Sequence, residues 1–477
     1  MKTILKIQKL FFAFGLVAAF FVNDAKANTI FPIATNGTVS QAGFSAAFSG
    51  TNYLVGIEGD AVNPNAITAQ LISTNGSLVG SRIAIGGTGG SPYVGFDGTN
   101  FLLVWPDDRL LETGGNDQIY GQRVSQSGAL VGSPFTFGPT DEYQNIYDGE
   151  WLAFDGRNYL IVDQVGTYHD IANDYIKAWL TSPSGSLVVP VISISSTSAC
   201  PAVVFGRTNY LVVWHKKRAT GPELYDIYGE FISTNGTQGS AFTISQTPTP
   251  SYNPGGIGIV FDGINFFVVW NKDMGPGNPS PSDFDIYGRF VSPAGSFGNE
   301  IALVTGAGDQ VITGGAFDGA NYLLSWGEGG FGSTNSQIVF QFFNPSAVAI
   351  GLEFTLFSPQ GTNAPMIGGV FYGGGQFVII GIIGGYSEDF TGGTGTYGTF
   401  LSKSTASPML TASNRVGTQF PLQLTGTPGI NYAIQISTNL ALSNWTAVVT
   451  DSPTNGTFSF TDTHATNASR FYRAVKQ

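Results

Sequence analysis

Cysteine is almost absent from this 477-residue chain; only Cys200 is present. No internal disulfide can form, so a large buried core must hold the fold without covalent staples. Charge is also scarce: Asp, Glu, Lys and Arg make up 11%, against about 25% in an average soluble protein. Histidine occurs three times, as His169, His215 and His464, and these lie too far apart for a zinc ligand set. Four signatures are missing: the Gly-x-Ser-x-Gly nucleophile elbow, an Asp-x-Asp-x-Asp-Gly calcium loop, the Ser-x-Asp-x-Gly-x-Thr-Trp box of sialidase propellers, and a glycine-rich loop opening a helix. No motif calls for a cofactor or a metal. No long segment has helical periodicity, and only one apolar run, Leu10–Val22, is long.

That run sits in a leader-like N-terminus. Lys2, Lys6 and Lys9 precede it and Ala25-Lys26-Ala27 follows, the three parts of an export signal cleaved after residue 27. Thirteen apolar residues fall short of the ~20 that span a bilayer, so no membrane span is expected. No Cys follows the signal, so a lipid-anchored form is unsupported. The formal charge is −12; residues 1–27 contribute +3 (four Lys, one Asp), which leaves −15 on the remainder. Such a surface repels phosphate backbones, so no nucleic-acid partner is expected, while cationic ligands or bound metal ions are compatible. Export with so little cysteine points to a bacterial source.

What the chain has in abundance is glycine, 65 residues, and a phrase written seven times. Its clearest copies are Phe96-Asp97-Gly98-Thr99-Asn100-Phe101-Leu102-Leu103-Val104-Trp105 and Phe261-Asp262-Gly263-Ile264-Asn265-Phe266-Phe267-Val268-Val269-Trp270. The anchor aromatics are Phe48, Phe96, Phe154, Phe205, Phe261, Phe317 and Tyr372; they cover 324 residues in six intervals, a mean of 54. A β-rich repeat of that length predicts a β-propeller. Each copy reads as four strands: a short apolar one ending at the anchor, an Asp-Gly-x-Asn hairpin turn, an apolar second strand, a third carrying Ile-Tyr-Gly (residues 119–121, 227–229 and 286–288), and a fourth after a Ser/Asn-Gly turn. The seventh copy has no good fourth strand. Thr29–Ala34 reads as that strand, closing the ring from the N-terminal side.

The expected organisation is therefore a signal at 1–27, a seven-bladed propeller at 28–401, a linker at 402–408 and a small β-sandwich of immunoglobulin-like or fibronectin-III-like type at 409–477. The last has strands at Phe420–Leu424, Tyr432–Ile436, Trp445–Val449, Phe458–Phe460 and Phe471–Val475, with Met409–Thr411 as a supplementary edge.

Two runs carry a resemblance. Ile436-Ser437-Thr438-Asn439-Leu440, Asn444-Trp445-Thr446, Phe460-Thr461-Asp462-Thr463 and Arg470-Phe471-Tyr472-Arg473-Ala474 resemble a C-terminal module that closes many secreted proteins of environmental Gram-negative bacteria. The Phe-Asp-Gly-Thr-Asn-Tyr-Leu-Val-Val-Trp and Asp-Ile-Tyr-Gly phrases resemble a repeat of large bacterial exoproteins. The resemblance implies export, and cell-surface retention through the terminal module. It brings no catalytic residue set.

The repeated aspartates Asp97, Asp155, Asp262 and Asp318 are explained by turn chemistry, not by catalysis. The opposite ends of the strands are variable and rich in charge and aromatics, and there a ligand would sit. The candidate loops are Pro106–Arg109, Thr140–Tyr143, Tyr168–Asp170, His215–Arg218, Asn271–Asp273 and Tyr386–Asp389. Each by itself also reads as ordinary solvated charge. The candidate ligand-binding residues are Asp107, Asp108, Asp141, Tyr143, Asp163, Tyr168, His169, His215 and Asp273. Asp163 is the most pointed, because its register holds Trp105, Trp214, Trp270 and Trp326 in other copies. Either that copy is frayed and Asp163 stands in water, or Asp163 forms a polar notch that meets a ligand or ion. Cys200 reads as a buried apolar residue.

Three functions are in play. The first is a secreted, non-catalytic propeller that binds a glycan or an envelope or matrix protein, with Tyr143, Tyr147 and Tyr168 suited to sugar faces. The second is a glycoside hydrolase or polysaccharide lyase drawing on Asp107, Asp108, Asp141, Glu142, Asp163, Asp170, Asp273, Glu388 and Asp389. The third is a purely structural envelope protein.

Overall fold

The computed structural model describes residues 3–8, 29–35, 41–90, 92–107, 118–137, 143–145, 151–166, 174–218, 224–250, 256–274, 283–328, 337–357, 366–383, 395–402, 409–413, 417–426, 431–438, 445–452, 457–464 and 469–476. Every regular element among them is a strand. The chain divides into two compact units, residues 28–401 and residues 1–27 with 402–477.

Residues 28–401 are built from antiparallel, mostly four-stranded sheets of the β-propeller kind, and seven sheets are formed by the described residues. Sheet one runs Ala42–Phe48, Asn52–Glu58, Ala66–Ser73, Leu78–Thr88; sheet two runs Tyr93–Phe96, Asn100–Asp107, Gln118–Ser125, Leu130–Phe137. Sheet four (Ser198–Gly206, Asn209–Lys217, Leu224–Ser233, Phe242–Pro250), sheet five (Ile257–Phe261, Phe266–Asp273, Phe284–Val291, Ile301–Val304) and sheet six (Gln310–Phe317, Tyr322–Glu328, Gln337–Phe343, Ala349–Thr355) repeat the plan. In sheet three the first strand is in two pieces, Tyr143–Asn145 and Leu152–Phe154. Both pair with Tyr159–Gly166, and Tyr175–Thr181 and Ile192–Ser196 follow. In sheet seven Met366–Gly373, Gln376–Ile383 and Gly395–Ser402 are joined by Phe31–Ala34, which pairs antiparallel with Gly395–Ser402. First strands pack against first strands in chain order, and that of sheet seven packs against that of sheet one.

The repeated phrase has a packing reason at each position. The Oδ1 of Asp97, Asp155, Asp262 and Asp318 accepts two backbone N–H bonds inside its own turn, for example from Thr99 and Asn100, both at 2.7 Å. The following glycines stand at φ near +90°, a region closed to most side chains. In three sheets the tyrosine opening the second strand ties that sheet to the preceding turn. Tyr322 Oη donates to Asp262 Oδ2 at 2.7 Å, Tyr210 Oη to the Asn158 carbonyl at 2.9 Å, and Tyr53 Oη to the Gly373 carbonyl at 2.7 Å. Trp105, Trp214, Trp270 and Trp326 are fully buried, each packed on residues of the preceding sheet. The glycine of Ile-Tyr-Gly is there for space: a Cβ at Gly121 would lie 2.7 Å from Phe137, and one at Gly288 would lie 2.7 Å from Phe267.

In the other unit, Met409–Ala412, Phe420–Thr425 and Thr457–Asp462 form one sheet. Thr3–Gln8, Ser469–Lys476, Tyr432–Ser437 and Thr446–Asp451 form another, in that order. Leu410, Leu422, Leu424, Tyr432, Ile434 and Tyr472 make its apolar core. Tyr472 Oη donates to Asp462 Oδ2 at 2.8 Å. Residues 9–28, which hold most of the expected signal, and the linker at 403–408 lie outside the described residues.

Candidate functional site

The second strands run past the tryptophan register, and their last residues carry the polar groups of interest. Asp107, His215 and Asp273, expected in loops, lie within the strands Asn100–Asp107, Asn209–Lys217 and Phe266–Asp273. The physical reason is that the apolar run is followed by side chains which alternate between neighbouring sheets, so the ladder continues through polar residues.

One residue beyond the tryptophan register, Gln164, His215 and Asn271 are buried. Gln164 Oε1 accepts the Cys200 backbone N–H at 3.0 Å, and Asn271 Oδ1 accepts that of Ile312 at 2.9 Å. Both bonds reach the first strand of the following sheet. His215 holds the same place in sheet four, yet neither ring nitrogen has a hydrogen-bond partner among the described residues. Burial disfavours the imidazolium and lowers its pKa from 6.5 to about 3. His215 is therefore a neutral, enclosed imidazole and not an exposed loop residue.

Two residues beyond the register, the side chain decides how the indole N–H is used. Asp107 Oδ2 accepts it from Trp105 at 3.0 Å, and Glu328 Oε1 accepts it from Trp326 at 3.3 Å. Lys216 and Lys272 stand there in sheets four and five, and their ammonium groups lie 5.5 and 4.3 Å from the ring centroids of Tyr228 and Tyr287. Asp107 is thus engaged in holding a core indole.

Asp163 occupies the tryptophan register itself. It is 1% exposed, which removes the reading of a frayed copy with Asp163 in water. Tyr159, Ile161 and Val165 lie on the same side of its strand, in a cluster with Val104, Ile119, Phe137 and Trp179. Among the described residues neither carboxylate oxygen has a hydrogen-bond partner of normal geometry. Desolvation raises its pKa well above the ordinary carboxylate value, the nearby Gln164 amide opposes the rise, and the charge of Asp174 adds to it. Lys177 faces it across the ladder. The first strand of its sheet is interrupted at this level: Asn145 pairs with Gln164 and Leu152 with Ile161.

Beside it, Gln164 Nε2 donates to Asp174 Oδ2 at 2.6 Å, and Ser198 N–H donates to the Asp174 carbonyl at 3.2 Å. Thr197 and Cys200 stand at φ +56° and +51°, a strained backbone for non-glycine residues. Cys200 lies within the strand Ser198–Gly206 and is buried.

Of the remaining candidates, Asp273 is half-buried, and Tyr143 pairs through its backbone with Gly166. Asp108, Asp141, Tyr168 and His169 lie outside the described residues. Sequence reasoning missed Gln164, Asn271 and Asp174. The signal for the first two was their constant place one residue after the tryptophan register. Among the described residues no group of three or more His, Cys, Asp or Glu is placed to hold a metal ion, and no helix is long and apolar enough to cross a membrane.

No family model matches the chain, and no curated protein matches it. Solved structures do. The β-propeller domain of the Trilobed protease from Pyrococcus furiosus is 10% identical, with a TM-score of 0.43, over 72% of this chain and 91% of that one. Polysaccharide lyase Uly1 is 9% identical, with a TM-score of 0.46, over 80% and 94%. An α-L-arabinanase from Penicillium chrysogenum, complexed with arabinobiose, is 10% identical, with a TM-score of 0.40, over 78% and 98%. Likeness at this level transfers neither substrate nor mechanism.

Proposed function

We propose that residues 28–401 are a seven-bladed β-propeller closed by the strand Phe31–Ala34, exported by the leader at 1–27, and followed by an immunoglobulin-like sandwich. The propeller presents a binding face to a glycan or to an envelope or matrix protein and carries out no chemistry. The cyclic order of first-strand contacts and the pairing of Phe31–Ala34 support the ring. The observation that carries the non-catalytic reading is the use already made of the polar strand ends. Asp107 holds Trp105, Asp174 holds Gln164, and Arg218 holds Asp226 at 2.7 Å. Residues spent on holding sheets together are not poised to move protons in a reaction. A glycan array probed with the exported protein, beside an activity panel on polysaccharides, tests it. Selective retention without product supports the reading, and turnover refutes it.

One observation favours a carbohydrate-active enzyme instead. A carboxyl whose pKa is raised by an apolar setting, as at Asp163, is what a general acid needs. That reading requires a second carboxylate about 5–10 Å away. It is sustained if the panel finds turnover that Asp163→Asn abolishes while the fold survives.

A further inference from the structure

The strand Ser469–Lys476 has a partner on each side. On one side Tyr432–Ser437 pairs with it without a register shift, from Tyr432 opposite Lys476 to Ser437 opposite Phe471. On the other side Thr3–Gln8 pairs antiparallel over six consecutive residues, from Thr3 opposite Ala474 to Gln8 opposite Ser469. Thr3–Gln8 is the end of that sheet. At its far end, Thr446–Asp451 joins through a register shift between Ile434 and Gln435. The two borders thus differ. A bulge twists one away from further pairing, whereas Ser469–Lys476 pairs on both sides without a register shift and, without Thr3–Gln8, would offer an unbroken row of backbone donors and acceptors.

We infer that the Ser469–Lys476 border is a strand-accepting site whose occupant in the unprocessed chain is the leader segment Thr3–Gln8. Three observations support it. The pairing is continuous. Thr3, Ile4 and Ile7 are β-branched and favour an extended backbone. The strand they meet is the one border of that sheet not blunted by a bulge. Strand addition of this kind draws its affinity from main-chain hydrogen bonds, which suits a leader under no demand for a particular side-chain sequence. The consequence rests on the export reading: cleavage after Ala27 takes the occupant away and bares the border only once the chain has left the compartment of synthesis. The leader then serves twice, as an address and as a cover for a surface that would template aggregation.

The test uses the full chain, produced where the leader is not removed. Amide exchange across Ser469–Lys476 is compared between wild type and Ile4→Pro/Leu5→Pro. Adjacent prolines remove one ladder donor whichever set of amides faces the border. The expected result is exchange about 10-fold faster at the alternate amides of Ser469–Lys476 in the variant, with Phe420–Thr425 and Thr457–Asp462 unchanged. A synthetic peptide of residues 2–9 added to the variant should restore the slow rate. Equal rates in the two chains, or no restoration by the peptide, overturn the pairing. N-terminal sequencing of exported protein addresses the other premise separately: a retained leader refutes cleavage and leaves the pairing result standing.

Discussion

His215 supplies the sharpest prediction, because its cost appears only in acid. The imidazole is enclosed, has no hydrogen-bond partner among the described residues, and has its pKa lowered by burial from 6.5 to about 3. Its folded pKa is lowered, so the unfolded chain binds the extra proton first. Stability is complete above 6.5 and is lost as the pH falls towards 3. Linkage gives a loss of about 2 kcal/mol at a pH of about 5 and about 3 kcal/mol at a pH of about 4. Asp163 acts with the opposite sign, since its raised pKa relieves the fold as protons are added. The His215 contribution is therefore isolated by difference. His215→Asn places there the amide that at Asn271 accepts a backbone bond from the next sheet. Urea unfolding of wild type and variant at matched pH values should show the stability difference shifting by about 2 kcal/mol in favour of the variant between a pH of about 7 and one of about 5. A difference that stays constant over that interval would refute the assignment of a buried, uncharged imidazole.

Tyr322→Phe should destabilise residues 28–401 by about 1–2 kcal/mol in urea titration, because it removes the bond to the Asp262 carboxylate at 2.7 Å while Phe101, Phe266 and Phe377 show that the ring fits without its hydroxyl. Asp163→Leu should raise stability at neutral pH by about 2 kcal/mol, since an unpartnered carboxyl leaves an apolar setting; a loss in calorimetry would mean that the acid has a partner. Gly121→Ala should cost about 1–3 kcal/mol through the clash with Phe137, read as a lowered denaturant midpoint. Deletion of residues 29–35 should remove the strand paired with Gly395–Ser402 and with it the soluble yield, measured as the fraction in the supernatant after expression.

Much of this fold could be read from letters because each repeated letter has one dominant physical job. Asp followed by Gly and a donor two residues on can hardly be anything other than a turn, and the four such aspartates are used in that way. The tryptophan at the end of an apolar run had no alternative to the interior. The strand ends were harder. His215-Lys216-Lys217 and Asn271-Lys272-Asp273 look like surface charge, and what buries His215 and Asn271 is the neighbouring sheet, whose proximity no local pattern encodes. The same blindness applies to Gln164, which gains its meaning from the Cys200 amide 36 residues away. Asp163 was visible as an exception to the repeat. Its enclosure was not, because its same-side neighbours Ile161 and Val165 pack with Val104, Ile119 and Phe137 of another sheet.

The pairing of Phe31–Ala34 with Gly395–Ser402 joins positions more than 360 residues apart. During synthesis, at about 5–20 residues per second, the opening segment emerges well over ten seconds before its complement exists. For that interval the strand Phe31–Ala34 lacks its ladder partner. Association across so long a stretch is entropically slow, so this clasp is expected to be the last ladder of residues 28–401 to close.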